Sequence, residues 1–145
     1  MSYASKQDLV DRYGATELIQ LTDRNNRPAS TIDDTVVARA LADAGALIDG
    51  YLSKRYSLPI AVTPPILVRM CCDITRFYLH GKAAEKDGPV DRANTAAISW
   101  LRDVAKGVVE LEIGATGEAP EPLGGGTVRT STNQRVMRRD TLRRM

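Results

Sequence analysis

The apolar residues of this chain keep a helical spacing almost to residue 113 and then lose it, and that break limits what the chain can fold into. From Gly114 the sequence runs through Gly, Pro and polar residues to Gly124-Gly125-Gly126. It ends in an arginine-rich stretch, Arg135 to Met145. A segment of that composition cannot bury enough apolar area to offset the entropy of ordering itself. The part before it is long enough for one hydrophobic core without disulfides or metals. The expected layout is a helical body over 1–113, a linker over 114–134 and a basic-apolar docking segment over 135–145.

Charge divides at the same boundary. The formal net charge is +2, but the body carries 14 Lys or Arg against 15 acids, and the remainder 6 Arg against 3 acids. Five of those arginines lie between Arg135 and Arg144, with Asp140 as the one acid among them. Cys71 and Cys72 are adjacent and are the only cysteines, so neither a disulfide framework nor a cysteine zinc site is expected. Without an apolar leader or a run long enough for a bilayer, the chain is expected to be soluble and cytoplasmic.

Within the body the elements follow from caps and periodicity. Ser5 can cap a short helix with Asp8 in its first turn, Leu9 and Tyr13 facing inward and Gly14 as the stop. A second short helix is expected over 17–21, capped by Thr16, and residues 22–30 have the composition of a surface loop. A long helix begins at Asp33 or Asp34. Its stripe combines Val36, Ala40, Ala44, Leu47 and Tyr51 with Val37, Leu41, Ile48 and Leu52. It must end by Ser57, ahead of Pro59.

Pro64-Pro65 opens the next helix. There Ile66, Met70, Ile74 and Phe77 are expected inside, with Arg69, Asp73, Arg76 and His80 on the opposite, polar side. The last helix follows Gly88-Pro89, turns Val90, Ala93, Ala97, Leu101 and Val104 inward, and stops at Gly107. Residues 109–113 then alternate apolar and glutamate, the two-residue period of a half-buried strand. A lone strand needs a partner, so Val109, Leu111 and Ile113 are expected to pair with the stretch around Val128, in the same chain or a neighbour. The fold expected is all-α: a small bundle of three longer helices behind two short ones, with one short strand and an extended C-terminal arm.

No constellation for chemistry accompanies this. His80, the single histidine, has no nucleophile or orienting carboxylate at a suggestive spacing. The cysteines flank an apolar face and read as packing residues. Asp33, Asp34, Asp87 and Asp91 sit at helix starts, where the dipole favours acids. Gly124-Gly125-Gly126 lacks the Lys-Ser or Lys-Thr of a phosphate loop. No catalytic residue, metal site or cofactor is expected. The arginine-rich end admits three readings: a solvated terminus, a contact with nucleic-acid phosphates, or a docking segment for a protein. Val136, Met137, Leu142 and Met145, interleaved with the arginines, favour docking. Arg135, Val136, Met137, Arg138, Arg139, Leu142, Arg143 and Arg144 are the residues expected to carry it.

Many modest matches in order point to one family. They include Asp8-Leu9, Arg12, Gly14, Glu17-Leu18 and Leu21-Thr22-Asp23, then Ala40 through Leu52 with Arg55-Tyr56 and Leu58-Pro59. Pro64 through Leu67, Cys72 through Arg76, and the ending Arg135 to Leu142 continue them. Across these the chain resembles the Mu-like phage and prophage protein family, itself similar to the helical head-tail connector adaptors of tailed bacteriophages. Residues 115–132 are the least family-like part. The resemblance implies a non-enzymatic subunit of a ring, a dodecamer, lying beneath the portal protein at the capsid vertex and joining it to the tail. It implies as partners further copies of the chain, the portal and a tail-completion or tail-terminator protein, with non-specific contact to packaged DNA and no membrane. The site would be the virion neck, after synthesis in the host bacterial cytoplasm. The competing class is a DNA-binding module using the arginine-rich end, against which the near-neutral body argues.

Overall fold

The computed structural model describes residues 2–111. Five α-helices form: α1 (Lys6–Tyr13), α2 (Ala15–Thr22), α3 (Asp34–Leu52), α4 (Pro65–His80) and α5 (Pro89–Lys106), with a short 3-10 turn, Gly81–Ala83, after α4. There is no strand among the described residues. The three longer helices pack on one another, α4 against both α3 and α5, and α3 against α5. The pair α1–α2 lies along α4, with α1 also touching α3.

Each helix start has a local cause. At α1 the capping is reciprocal. The Asp8 N–H donates to Ser5 Oγ (3.3 Å), and the Ser5 N–H donates to the Asp8 carboxylate (2.7 Å). The Ser5 hydroxyl, donating to the same carboxylate (2.7 Å), and then the Ser5 N–H hold the Asp8 carboxyl below the usual carboxylate range. Gly14, at φ +85, ends α1 and begins α2 at once. That conformation comes without strain only to glycine. It lets α2 start at Ala15, two residues ahead of the expected Glu17, so Thr16 lies inside the helix and caps nothing. Asp33 caps α3 by accepting from the N–H groups of Thr35 (2.9 Å) and Val36 (3.2 Å). Prolines sit in the first turns of α4 and α5, where a missing N–H costs nothing.

The loop between α2 and α3 is built around two side chains. Thr22 is fully buried; its Oγ1 donates to the Leu18 carbonyl (2.7 Å) and accepts from the Asp33 N–H (3.0 Å), tying the end of one helix to the cap of the next. The Asp23 carboxylate accepts from the N–H groups of Ser30 (2.9 Å), Asn26 (3.0 Å), Thr31 (3.2 Å) and Asn25 (3.2 Å). Those bonds, the Ser30 N–H foremost, hold its carboxyl well below the ordinary range.

The core gathers Leu9, Leu18, Val37, Ile48, Leu52, Leu67, Ile74, Leu101 and Val104, none more than 1% exposed. On α3 and α5 this agrees with the apolar stripes of the sequence. On α4 the buried face is turned by about one residue. Leu67, Cys71, Cys72, Ile74, Thr75 and Leu79 are buried, and Ile66 and Met70 are only partly so. The expected polar side of α4 is also not a solvent face, because α1 and α2 cover Asp73, Arg76 and His80, as described next. On α5, Asn94 replaces the expected Ala93 among the buried positions, and its Oδ1 has no partner among the described residues.

Candidate interaction surfaces

A polar cluster lies where α1 and α2 meet α4. Arg76 grips Glu17 with two parallel hydrogen bonds, Nε to Oε1 at 2.6 Å and Nη2 to Oε2 at 3.0 Å. Its guanidinium lies 4.5 Å from the centre of the Tyr13 ring, and the Tyr13 hydroxyl donates to Asp73 (2.6 Å). His80 Nε2 sits 3.4 Å from Glu17 Oε1. Burial, and then the bond to Asp73, pushes the Tyr13 phenol above its ordinary value. Every charged member faces a partner from another helix, so the arrangement is a clamp that fixes the α1–α2 pair onto α4. It contains no nucleophile beside a base.

The clamp's contribution can be bounded. Arg76 and Glu17 side chains are 26% and 28% exposed, so water weakens but does not abolish the pairing. Arg76→Ala leaves Glu17 half-buried without its fork and is expected to cost roughly 1–3 kcal/mol, less than a fully buried pair would. Arg76→Lys, which keeps charge but not the bidentate geometry, should recover only part of that. Urea unfolding midpoints of the two variants measure both effects.

Cys71 and Cys72 are completely buried, as their apolar setting in the sequence suggests. Burial, and then the neighbouring Cys71, pushes the Cys72 thiol up to about 12. Burial also raises Cys71. Neither has thiolate character near neutrality. A thiol reagent at about pH 8 should therefore label neither cysteine in the folded chain and both after denaturation.

The end of the described chain is also fixed. α5 stops at Gly107, which has φ +80; a Cβ there would sit 1.5 Å from Arg55 Nη1. The N–H groups of Val108 (2.9 Å) and Val109 (3.4 Å) return to the Asp103 carbonyl. Leu111 is buried, and its N–H donates to the Tyr56 hydroxyl at 3.1 Å. The strand expected from residue 109 is therefore not formed over 109–111. The N–H groups of Val109 and Leu111, which would point to the same edge, are already taken by Asp103 and Tyr56, and Leu111 is packed in its own core. Over 109–111 the alternation marks Val109 and Leu111 packed against the body. Ile113 and Val128, and the docking residues Arg135, Val136, Met137, Arg138, Arg139, Leu142, Arg143 and Arg144, lie outside the described residues.

One apolar groove opens on the body. It measures about 610 Å³ and runs between residues 2–6 and the outer side of α3. Val37 and Leu41, nearly closed to solvent, form its base, and the exposed alanines Ala38, Ala42 and Ala46 line the α3 side. Asp34 and Asp49 mark its two ends on α3. Asp34 pairs with Lys6, and Asp49 accepts from the Tyr3 hydroxyl. Alanines repeated every fourth residue where an exposed helix would carry charged side chains were visible in the sequence. They gained meaning only once residues 2–6 were seen to wall them in.

The body fixed this way has close relatives. The family model described as Bacteriophage Mu, Gp36 matches residues 3–130. The chain belongs to the Bacteriophage Mu Gp36 family. Gene product J of Escherichia phage Mu is 35% identical over 139 residues, covering 96% of each chain. The Mu-like prophage FluMu protein gp36 of Haemophilus influenzae is 33% identical over 129 residues, covering 89% of each. For this Gp36 family member the all-α body is thus a phage protein's body. Among the described residues no helix is long and apolar enough to cross a membrane, and no group of three or more His, Cys, Asp or Glu residues could hold a metal ion.

Proposed function

We propose that this chain is a structural head-tail connector subunit, an adaptor whose copies close a ring beneath the portal and join the capsid vertex to the tail. The observation that carries the reading is the division of labour along a phage-family chain. Among the described residues a hydrophobic core forms from residues 3 to 111, and the sequence beyond them offers arginines interleaved with apolar side chains, a composition suited to binding. The ionic cluster at Arg76 is spent on holding helices together, which leaves the role of the body architectural. Ring closure would be heterologous, one face of each subunit meeting a different face of the next. Arginines of the terminal segment would face acids on the partner, with Val136, Met137 and Leu142 in apolar pockets. Packaged DNA passing through the ring would meet only phosphate contacts.

Mass measurement of the purified protein, alone and mixed with the portal protein, tests this. A closed oligomer or a stable portal complex is expected; a monomer that ignores the portal defeats the reading. The arginine-rich end also supports a DNA-binding role. Its signature would be affinity for random duplex that collapses steeply with added salt.

A further inference from the structure

We infer that residues 2–22, the α1–α2 pair with its lead-in, form a flap that lifts off α4 as one unit while α3, α4 and α5 stay packed. Among the described residues the bundle and the flap are held by different means. The three long helices bury apolar rows along their lengths against one another. α1 buries only Leu9, and α2 only Leu18 and Thr22. Tyr3 and Ala4 are buried ahead of them, and Val10, Tyr13 and Leu21 are half-buried. Much of the remaining hold is polar: the Glu17–Arg76 fork, the Tyr13–Asp73 bond, and the Lys6–Asp34 and Tyr3–Asp49 contacts. Such links are exchanged for bonds to water when they part, so they resist opening less than buried apolar area does. Regions with few buried apolar contacts open at a fraction of the global unfolding free energy.

The seating of the flap is loose at one edge and jointed at the other. On the α3 side the groove of about 610 Å³ lies between residues 2–6 and the alanines Ala38, Ala42 and Ala46, so that edge does not interlock with the helix. The flap runs on to α3 through residues 23–33, where the side chains from Arg24 to Thr31 are exposed and leave room for a hinge. Beneath the flap lie the two thiols. The Tyr3 and Ala4 N–H groups are directed at Cys71, and Asp8 and Arg12 of α1 lie near Cys72. Both cysteines are completely buried while the flap is down. Lifting it bares them and leaves the three-helix core intact.

Slow thiol labelling of the full chain without denaturant tests this. Labelling through the flap should quicken only weakly with added urea, with a slope much smaller than that for unfolding the whole body. Glu17→Gln removes the charge of the fork and keeps its volume, and should raise the labelling rate about tenfold. Leu101 is fully buried on α5, which packs against α3 and α4. Leu101→Ala should therefore lower the urea midpoint and leave the labelling rate without denaturant unchanged. Hydrogen exchange gives a second readout. Helices of 8 residues do not keep their own hydrogen bonds in water, so the amides of α1 and α2 should exchange through one common opening, ahead of those of α3 to α5. A labelling rate with the urea slope of global unfolding overturns the inference, as does one that rises in Leu101→Ala in step with lost stability. Equal protection of the flap and bundle amides, or a Glu17→Gln rate equal to the parent's, also overturns it.

Discussion

Removing residues 134–145 is expected to abolish association with the ring or the portal while leaving the body folded. The two halves of this expectation have separate causes. The body should survive because the buried side chains, helix caps and ionic clamp described above lie within residues 3–111. Far-ultraviolet circular dichroism and the urea midpoint should therefore be unchanged within about 0.5 kcal/mol. Association should fail because the deletion takes away five arginines and the apolar anchors together. Losing several charge-assisted contacts and buried apolar groups at once is worth more than the ~4 kcal/mol that separates a micromolar from a nanomolar complex. Sedimentation or light scattering, with and without portal, reads the outcome. Intact assembly by the truncated chain would mean that the body alone supplies the contact.

The largest effect on folding is expected at Ile48. It is fully buried near the middle of α3, the helix that packs against both α4 and α5. Ile48→Ala removes buried methyl groups and leaves a cavity that three helices cannot all relax into, so a loss of roughly 2–5 kcal/mol is expected. Native stability of small domains is itself about 5–15 kcal/mol, so that loss would unfold an appreciable fraction on mild warming. Ile48→Val should cost only about 0.5–1.5 kcal/mol. A midpoint that falls in that order while the denaturant slope stays constant would show the loss to be packing and not a change in the unfolded chain. An alanine variant as stable as the parent would refute the placement of α3 at the centre of the bundle.

Helices α3 and α5 were legible because each combines a start signal, a regular apolar stripe and a stop: Asp33 and the approach to Pro59 for one, Gly88-Pro89 and Gly107 for the other. α4 was harder. Ile66, Leu67, Val68, Met70, Cys71, Cys72, Ile74, Phe77, Tyr78 and Leu79 surround most of that helix, so periodicity alone does not choose the stripe that turns inward. Its neighbours decide. α3 and α5 take the Leu67–Ile74 side, and the α1–α2 pair covers Asp73 and Arg76 because Tyr13 and Glu17 are there to meet them. Pairs such as Glu17 with Arg76 are far apart in the chain, and no local pattern announces them.

Over the described residues 109–111 the expected strand is absent for a related reason. Alternating residues carry the same signal whether they join a sheet or are tucked against helices, and the deciding partner of Leu111, the Tyr56 hydroxyl, lies 55 positions away. The apolar groove was half visible: the alanines stood in the sequence, but the wall opposite them depends on where residues 2–6 lie.

The bond between Tyr56 and Leu111 bears on how the chain opens as well as on its shape. It ties the path of the chain after α5 to the loop that follows α3, so residues 107–111 open with the bundle instead of fraying from a helix terminus. Removing the hydroxyl would leave the Leu111 N–H without its buried acceptor and let that short segment open ahead of the core. A phenol hydroxyl in the interior thereby couples the order of residues 107–111 to that of the whole body.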